Sequence, residues 1–243
     1  MRVGVYVDAY NLYYGGRQEC GRSQPGWRWL DIRSLVTKVI DQSAWQDPVV
    51  KRVVYCTART DEVTNPSGFA DQDVYLLALR KSNSVDHIEF GNYVARVKNA
   101  LLATKDPTTS RPVLTTSQWP LMVKDPLNRS VNGARFMVSY LHQEEKGSDV
   151  NVGAHMLIDI LTNEVDAVVV VSNDSDLRYP VSYARTRVPV GIVNPRNTYH
   201  AGDLRGDACA GVGGHWWRRL NALDYRAHQL LDPVAGYTKP LGW

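Results

Sequence analysis

Residues 166–176 read Asp-Ala-Val-Val-Val-Val-Ser-Asn-Asp-Ser-Asp, an apolar, β-branched run that ends in a cluster of polar residues. Four consecutive valines are typical of a strand that is buried on both faces of a parallel sheet. The polar cluster then follows the carboxyl end of that strand, which is where ligands bind in open α/β sheets. This stretch therefore predicts both a fold class and the position of a site.

Segments of two kinds alternate on either side of this stretch. Apolar runs that predict strands occur at residues 3–7, 49–56, 87–90, 165–171 and 188–193. Helical spacing predicts one helix after the N-cap candidate Asp31, one that starts near Asp71, one over 150–161 and one over 179–186. Alternation of this kind predicts an α/β fold with a parallel sheet of about five strands flanked by helices.

The stretch between about residues 93 and 143 departs from this alternation. Short apolar runs at 94–102, 113–123 and 134–141 are separated by the turn formers Asp106-Pro107, Trp119-Pro120, Asp125-Pro126 and Asn132-Gly133. We expect an antiparallel insert here, and a long disordered loop is the alternative. The predicted organisation is a single domain over residues 1–230 that contains this insert, followed by a tail over residues 231–243.

The composition of the chain excludes only a few classes of function. A net charge of +3 does not by itself indicate nucleic-acid binding, and three widely spaced cysteines argue against a disulfide framework or a paired-cysteine zinc site. The chain shows no secretory signal pattern and no apolar run of about 20 residues. These features predict a soluble, cytoplasmic protein without a membrane partner.

Four aspartates are predicted to converge at the carboxyl edge of the sheet. Asp8 ends the first predicted strand, Asp174 and Asp176 follow the run at 168–171, and Asp149 opens the helix before that run. Clustered carboxylates repel each other unless a cation neutralises them, and oxygen ligands select a hard ion such as Mg²⁺. A metal held in this way could activate water for phosphodiester hydrolysis.

Each aspartate also has an ordinary structural explanation. Asp8 could be a turn residue, Asp174 and Asp176 could begin the next helix, and Asp149 could be an acid favoured by a helix dipole. Asn11 could be a helix N-cap. These alternatives stay open for each residue taken alone.

Three ordered motifs in the sequence resemble the NYN family, a branch of the PIN-like nucleases. They are the strand with an aspartate and asparagine at residues 5–13, the Glu-Lys-Gly-Ser-Asp-Val segment at 145–150, and the strand ending in Asp-Ser-Asp at 166–176. The resemblance covers about residues 1–195 without the insert. Two positions depart from the family pattern, since Ala9 and Asn173 stand where the family commonly has glycine.

This resemblance implies a PIN-like, Rossmann-like sheet and a Mg²⁺- or Mn²⁺-dependent ribonuclease that is endonucleolytic. Asp8, Asp149 and Asp174 would be metal ligands, and Asp176 would be a fourth ligand or a water-orienting base. Asn11 would orient the Asp8 carboxylate or contact substrate. A non-catalytic RNA-binding or regulatory protein with the same fold is the main alternative, and a small-molecule phosphatase is disfavoured because Tyr10 stands where that chemistry needs a second aspartate.

The predicted partner is RNA, single-stranded or structured, and a homodimer stays open. Arg178 and Lys146 are the first candidates for RNA contacts because they adjoin the predicted acidic site. Arginines at 185, 187, 196, 205, 218 and 219 could contact phosphates, with Tyr199, Trp216 and Trp217 available for base stacking. The histidines at 87, 142, 155, 200 and 215 show no metal-ligand spacing and are predicted to be structural or surface residues.

Overall fold

A seven-stranded sheet forms the centre of the fold. The computed structural model describes residues 1–40, 45–118 and 121–243, and the order of the strands across this sheet is β6-β3-β2-β1-β7-β8-β9. A separate antiparallel pair joins β4 and β5. The strands are β1 Arg2–Asp8, β2 Val49–Ala58, β3 His87–Leu101, β4 Ala103–Lys105, β5 Pro112–Leu114, β6 Met137–Lys146, β7 Ala167–Val171, β8 Val190–Asn194 and β9 Trp216–Arg219.

Seven α-helices connect and cover the strands of the described ranges. Two of these helices begin close to where the sequence predicts. Asp31 accepts a hydrogen bond from the amide of Ser34 at the start of the second helix. The helix predicted over 179–186 is observed over 178–185. The helices are α1 Ala9–Cys20, α2 Ile32–Ile40, α3 Pro66–Lys81, α4 Ser148–Leu161, α5 Arg178–Arg185, α6 Gly202–Arg205 and α7 Ala222–Ala227.

The central strands run parallel, as the valine run predicts. β1 pairs in parallel with β2 on one side and β7 on the other, and β8 and β9 continue the parallel pairing beyond β7. All five residues of β7 are buried, because helices cover both faces of the sheet. The α/β prediction is therefore confirmed, as a sheet of mostly parallel strands flanked by helices.

Sequence reasoning missed several elements. The sheet has seven strands rather than about five, and β9, with the sequence Trp-Trp-Arg-Arg, shows no alternation that would predict a strand. Helix α3 begins at Pro66, capped by the Asn65 side chain, instead of near Asp71. Helix α1 was not predicted, because its two glycines and mixed polarity give little helical signal.

The chain divides into two compact units. The first contains Met1–Tyr93 and Glu145–Trp243, and the second contains Val94–Glu144 with the β4–β5 pair. The second unit begins and ends one residue later than the predicted insert of 93–143. The predicted Trp119-Pro120 turn lies outside the described residues, and the assignment of residues 1–230 to a single domain stays a prediction.

The predicted tail, residues 231–243, ends against aromatic side chains of the first unit. The Trp243 ring contacts the rings of Trp29 and Tyr75, with centroids 6.4 and 5.6 Å apart. No helix within the described ranges is both long and apolar enough to cross a membrane.

Candidate functional site

Asp8 ends β1 and is buried at the carboxyl edge of the sheet. Its Oδ1 accepts a 3.0 Å hydrogen bond from the backbone amide of Asn11, so Asp8 is the N-cap of α1. Its Oδ2 accepts a 2.9 Å bond from the Ser172 hydroxyl. Burial raises the pKa of Asp8, the bonds from Asn11 and Ser172 oppose that rise, and the charge of Asp174 adds to it.

Ser172 links Asp8 to the next aspartate. Its hydroxyl oxygen accepts a 3.1 Å bond from the backbone amide of Asp174, and the Asp174 carboxylate accepts a 3.0 Å bond from the amide of Asp176. Asp174 thereby caps the short 3-10 helix Ser175–Leu177. Asp174 thus begins the next helical turn, as its structural explanation predicts, whereas Asp8 caps α1 instead of being only a turn residue. The two residues are also neighbours at one edge of the sheet.

Asp149 lies in the first turn of α4 and interacts electrostatically with the other three aspartates. Burial, followed by the negative charges of Asp8, Asp174, Glu145 and Asp176 in that order of importance, raises its pKa to about 7. The structure therefore brings the four predicted aspartates into one acidic cluster, defined here as Asp8, Asp149, Asp174 and Asp176. A carboxyl group that titrates near neutral pH can donate or accept a proton.

The two asparagines of the motifs hold neighbouring loops together. The Asn11 side-chain oxygen accepts a 3.3 Å bond from the backbone amide of Asn173, so Asn11 is not a helix N-cap. The Asn173 side chain accepts from the amide of Ala201 at 2.8 Å and donates to the carbonyl of Tyr199 at 3.3 Å. Asn173 does not adopt a left-handed backbone; its side chain anchors the loop after β8.

The segment that leads into Asp149 packs tightly against β3. A Cβ atom on Gly91 would lie 2.6 Å from a Glu145 carboxylate oxygen and 2.6 Å from the Lys146 carbonyl oxygen. The Glu145 side chain accepts a 3.0 Å bond from the amide of Ser148, at the start of α4. This close approach fixes the backbone immediately before Asp149.

Both residues predicted to contact RNA, Arg178 and Lys146, have exposed side chains. Arg178 begins α5, two residues after Asp176, and Lys146 ends β6. Arg185, one of the further phosphate candidates, is buried, and its guanidinium donates to the backbone carbonyls of Leu204 and Arg205. Arg185 therefore has a structural role.

A cavity of about 480 Å³ lies beside the ends of β8 and β9. Two aromatic rings and several cationic side chains line it, and the Arg205 guanidinium lies 5.0 Å from the Trp217 ring centroid. The residues that line the cavity are Asn197, Tyr199, His200, Arg205, Trp217, Arg218 and Arg219.

A second polar group lies on the face of the sheet that α4 covers. The Nε2 atoms of His87 and His155 lie 2.9 and 3.0 Å from the same oxygen, Oε2 of Glu89. These two hydrogen bonds lower the pKa of Glu89, His87 contributing first. The three ligand atoms all lie within 4.8 Å of one another, an arrangement that the sequence spacing of the histidines does not indicate. The prediction that these histidines are structural or surface residues stays a prediction.

The sequence contained part of the signal for this group. His87 and Glu89 are two residues apart on a strand, so they point to the same face. The partner His155 is 66 residues further along the chain than Glu89, on α4, and only the folded structure brings it there.

Comparison with known proteins gives one informative relative. No protein-family model matches the chain. The chain is 28% identical over 268 aligned positions to the 6-hydroxy-3-succinoylpyridine 3-monooxygenase HspA of Pseudomonas putida, covering 100% of this chain and 75% of that protein. A crystal structure of a Vibrio parahaemolyticus protein of unknown function is similar over 94% of this chain and 96% of that one, with 15% identity and a TM-score of 0.47.

The monooxygenase relative contradicts the functional predictions drawn from the sequence. A monooxygenase is an oxidoreductase, whereas a ribonuclease is a hydrolase, and the similarity extends over the whole chain. The prediction of a metal-dependent ribonuclease is therefore wrong, and so is that of a hydrolytic Mg²⁺ or Mn²⁺ cofactor, because the relative is a monooxygenase. RNA binding and membership of the NYN family stay predictions.

Proposed function

We propose that this chain is an oxidoreductase that inserts an oxygen atom into a small, hydroxylated aromatic acid. The cavity beside β8 and β9 carries the proposal. Its volume of about 480 Å³ lies within the range of about 300–1,000 Å³ usual for small-molecule sites. Aromatic and cationic side chains together suit an aromatic ring with an acidic substituent.

The similar monooxygenase supports the choice of substrate class. The substrate in its name is a pyridine ring with a hydroxyl group and a succinoyl group, which ends in a carboxylate. In this chain, Arg205 and Arg219 would bind such a carboxylate, and Tyr199 and Trp217 would contact the ring or its chain. All four residues line one cavity.

Asp149 would serve as the base for the reaction. Positions 3 and 6 of a pyridine ring are para to each other, so removing the proton from a 6-hydroxyl group raises the electron density at C3. Because C3 carries the succinoyl group, the new C–O bond replaces the bond from C3 to the succinoyl carbonyl carbon, and that group leaves and takes up water to become succinate. A carboxyl group near neutral pKa accepts that proton efficiently at physiological pH.

Neighbouring strands lie about 4.8 Å apart, so β9 is about 10 Å from β7, whose end precedes Asp174. The proposal requires the bound substrate to extend from the cavity past the end of β7 to Asp149.

Oxygen insertion places one atom of O₂ in the product and reduces the other to water with two electrons and two protons. The electrons would come from an external donor such as a reduced nicotinamide, since the reaction has no other reductant.

The first βα turn, between β1 and α1, is not suited to binding the phosphate group of a flavin cofactor. Phosphate groups bind the free amides of a helix N-terminus in a glycine-rich turn. Here the turn is Asp8-Ala9-Tyr10-Asn11, and the Asp8 carboxylate already accepts the Asn11 amide. A phosphate would also face the negative charges of the acidic cluster.

Consumption of O₂ tests this proposal. The purified chain is mixed with 6-hydroxy-3-succinoylpyridine and reduced nicotinamide, and O₂ uptake is compared with substrate loss. Asp149→Asn should lower the rate at least about 100-fold, the usual contribution of a general base. Asp47→Asn, an exposed aspartate before β2, is the matched control and should leave the rate unchanged. Equal rates for wild type and Asp149→Asn would remove Asp149 from the reaction.

The finer fold assignment is also a proposal. The three ordered motifs and the parallel order β3-β2-β1-β7-β8 support a PIN-like domain of the NYN family. RNA as a partner is supported only by the exposed Arg178 and Lys146. A gel-shift experiment with single-stranded RNA and Arg178→Gln would test it.

A further inference from the structure

The group formed by His87, Glu89 and His155 is chemically distinct from the acidic cluster. It contains two imidazoles and one carboxylate from two elements, β3 and α4. All three side chains are partly buried, with exposed fractions of 44%, 37% and 20%. They are thus held by the fold and still open to a small ion.

The distances between these side chains suit a metal ion. Metal–ligand bonds to nitrogen and oxygen of about 2.1 Å place neighbouring ligand atoms about 3.0 Å apart in octahedral geometry. The two measured separations, His87 Nε2 to Glu89 Oε2 and His155 Nε2 to Glu89 Oε2, are 2.9 and 3.0 Å. An ion could therefore bind with small rotations of the side chains.

We propose that His87, Glu89 and His155 bind one divalent transition-metal ion. Imidazole nitrogen suits iron, cobalt, nickel, copper and zinc, whereas carboxylate and water alone suit harder ions. Three protein ligands leave further coordination positions open, as in catalytic metal sites and unlike structural ones.

The ligand set also indicates which metal ion suits this site. Two histidines and one carboxylate with open positions form the ligand set of non-haem iron(II) oxygenases. Iron(II) therefore suits this ligand set. Because β3 lies five strand spacings, about 24 Å, from β9 and the cavity, the binding proposal does not depend on the proposed oxidoreductase function. Glu89 is level with Asp8 in the sheet register, through Cys56 of β2, so the two sites are about 10 Å apart.

Binding is tested with the metal alone, so that it does not depend on activity. The purified full-length chain is titrated with Co²⁺ and, without oxygen, with Fe²⁺, and binding is followed by visible absorption and calorimetry. We expect one ion per chain. His87→Gln and His155→Gln should each weaken binding more than about 100-fold, since groups that only orient a ligand already contribute about 10- to 100-fold.

The controls separate this site from others. His142→Gln is the matched control, because His142 also lies beside a glutamate, with its Nε2 4.0 Å from Glu144 Oε2. This variant should bind the metal as tightly as the wild type does. Asp149→Asn tests the acidic cluster and should also retain binding. Circular dichroism checks that each variant is folded, and Glu89→Gln, which keeps the shape of the side chain, provides a third test.

Absence of metal binding, or binding that His87→Gln and His155→Gln leave unchanged, would overturn the proposal. The result is separable from the proposed function. Site-specific metal binding without O₂ uptake would keep the metal site and remove the proposed oxidoreductase. O₂ uptake by a chain that binds no metal would keep the oxidoreductase and remove the metal site.

Discussion

The Ser172 hydroxyl donates a 2.9 Å hydrogen bond to Oδ2 of Asp8, and both residues are buried where β1 and β7 end side by side. The same hydroxyl oxygen accepts from the amide of Asp174. One serine therefore connects two aspartates of the acidic cluster and fixes the orientation of the buried carboxylate.

Ser172→Ala should destabilise the protein by about 1.5–3 kcal/mol, the usual contribution of a hydrogen bond to a charged group. The buried Asp8 carboxylate would lose one of its two bonds, and its pKa would rise further. Urea unfolding measures the change. Ser23→Ala, at an exposed position, is the control, and an equal effect in both variants would contradict this role for Ser172.

Asp149 should make folding stability depend on pH. Its pKa rises from 3.8 in the unfolded chain to about 7 in the folded one. Between these values only the folded state holds the proton, so stability falls as pH rises from about 4 to 7. Asp149→Asn should reduce this decline, and urea midpoints at several pH values measure it. An identical pH profile in wild type and variant would contradict the raised pKa.

The same titration should affect the reaction. A base must be deprotonated to accept a proton, so kcat/KM should rise through an apparent pKa near 7. This rising limb should be absent from the residual activity of Asp149→Asn. A rising limb that persists in the variant would assign it to another group.

Gly91→Ala should destabilise the fold by about 1–3 kcal/mol, the range for overpacking. The added methyl group would meet the backbone carbonyl of Lys146, which cannot rotate away. Thermal unfolding measures the loss. Gly202→Ala is the matched control, because a Cβ there meets nothing within 4 Å, and it should be neutral. Equal stability of the two variants would show that the Lys146 segment can move.

Arg219→Gln should raise the KM for an acidic aromatic substrate by about 10- to 100-fold, the effect of losing one charge-assisted hydrogen bond. Arg219 is exposed and lines the cavity beside β8 and β9. Its effect on kcat should be smaller. Arg111→Gln, in the second unit, is the control, and a KM equal to that of wild type in both variants would place substrate elsewhere.

The central part of the fold could be predicted from sequence because burial on both faces leaves a strong pattern. The valines of 168–171 and the polar residues after them gave the position of β7 and of Asp174 correctly. By contrast, β9 is only four residues long and mixes tryptophan with arginine, and its pairing with β8 depends on tertiary contacts.

The convergence of the acidic cluster was predictable for the same reason, since parallel strands end at one edge. The chemistry assigned to it was not, because clustered aspartates suit both metal binding and proton transfer. The group at His87, Glu89 and His155 was missed because His155 reaches Glu89 only when α4 packs on the sheet.

Isotope labelling shows whether this chain inserts an oxygen atom from O₂ into an aromatic substrate. The purified chain, with Fe²⁺ and a reduced nicotinamide, is supplied with ¹⁸O₂ and 6-hydroxy-3-succinoylpyridine, and the product is analysed by mass spectrometry. We expect a hydroxylated pyridine that carries one ¹⁸O atom, with much less product from Asp149→Asn. Unchanged substrate, or a product whose new oxygen comes from water, would contradict the assignment of this chain as a monooxygenase.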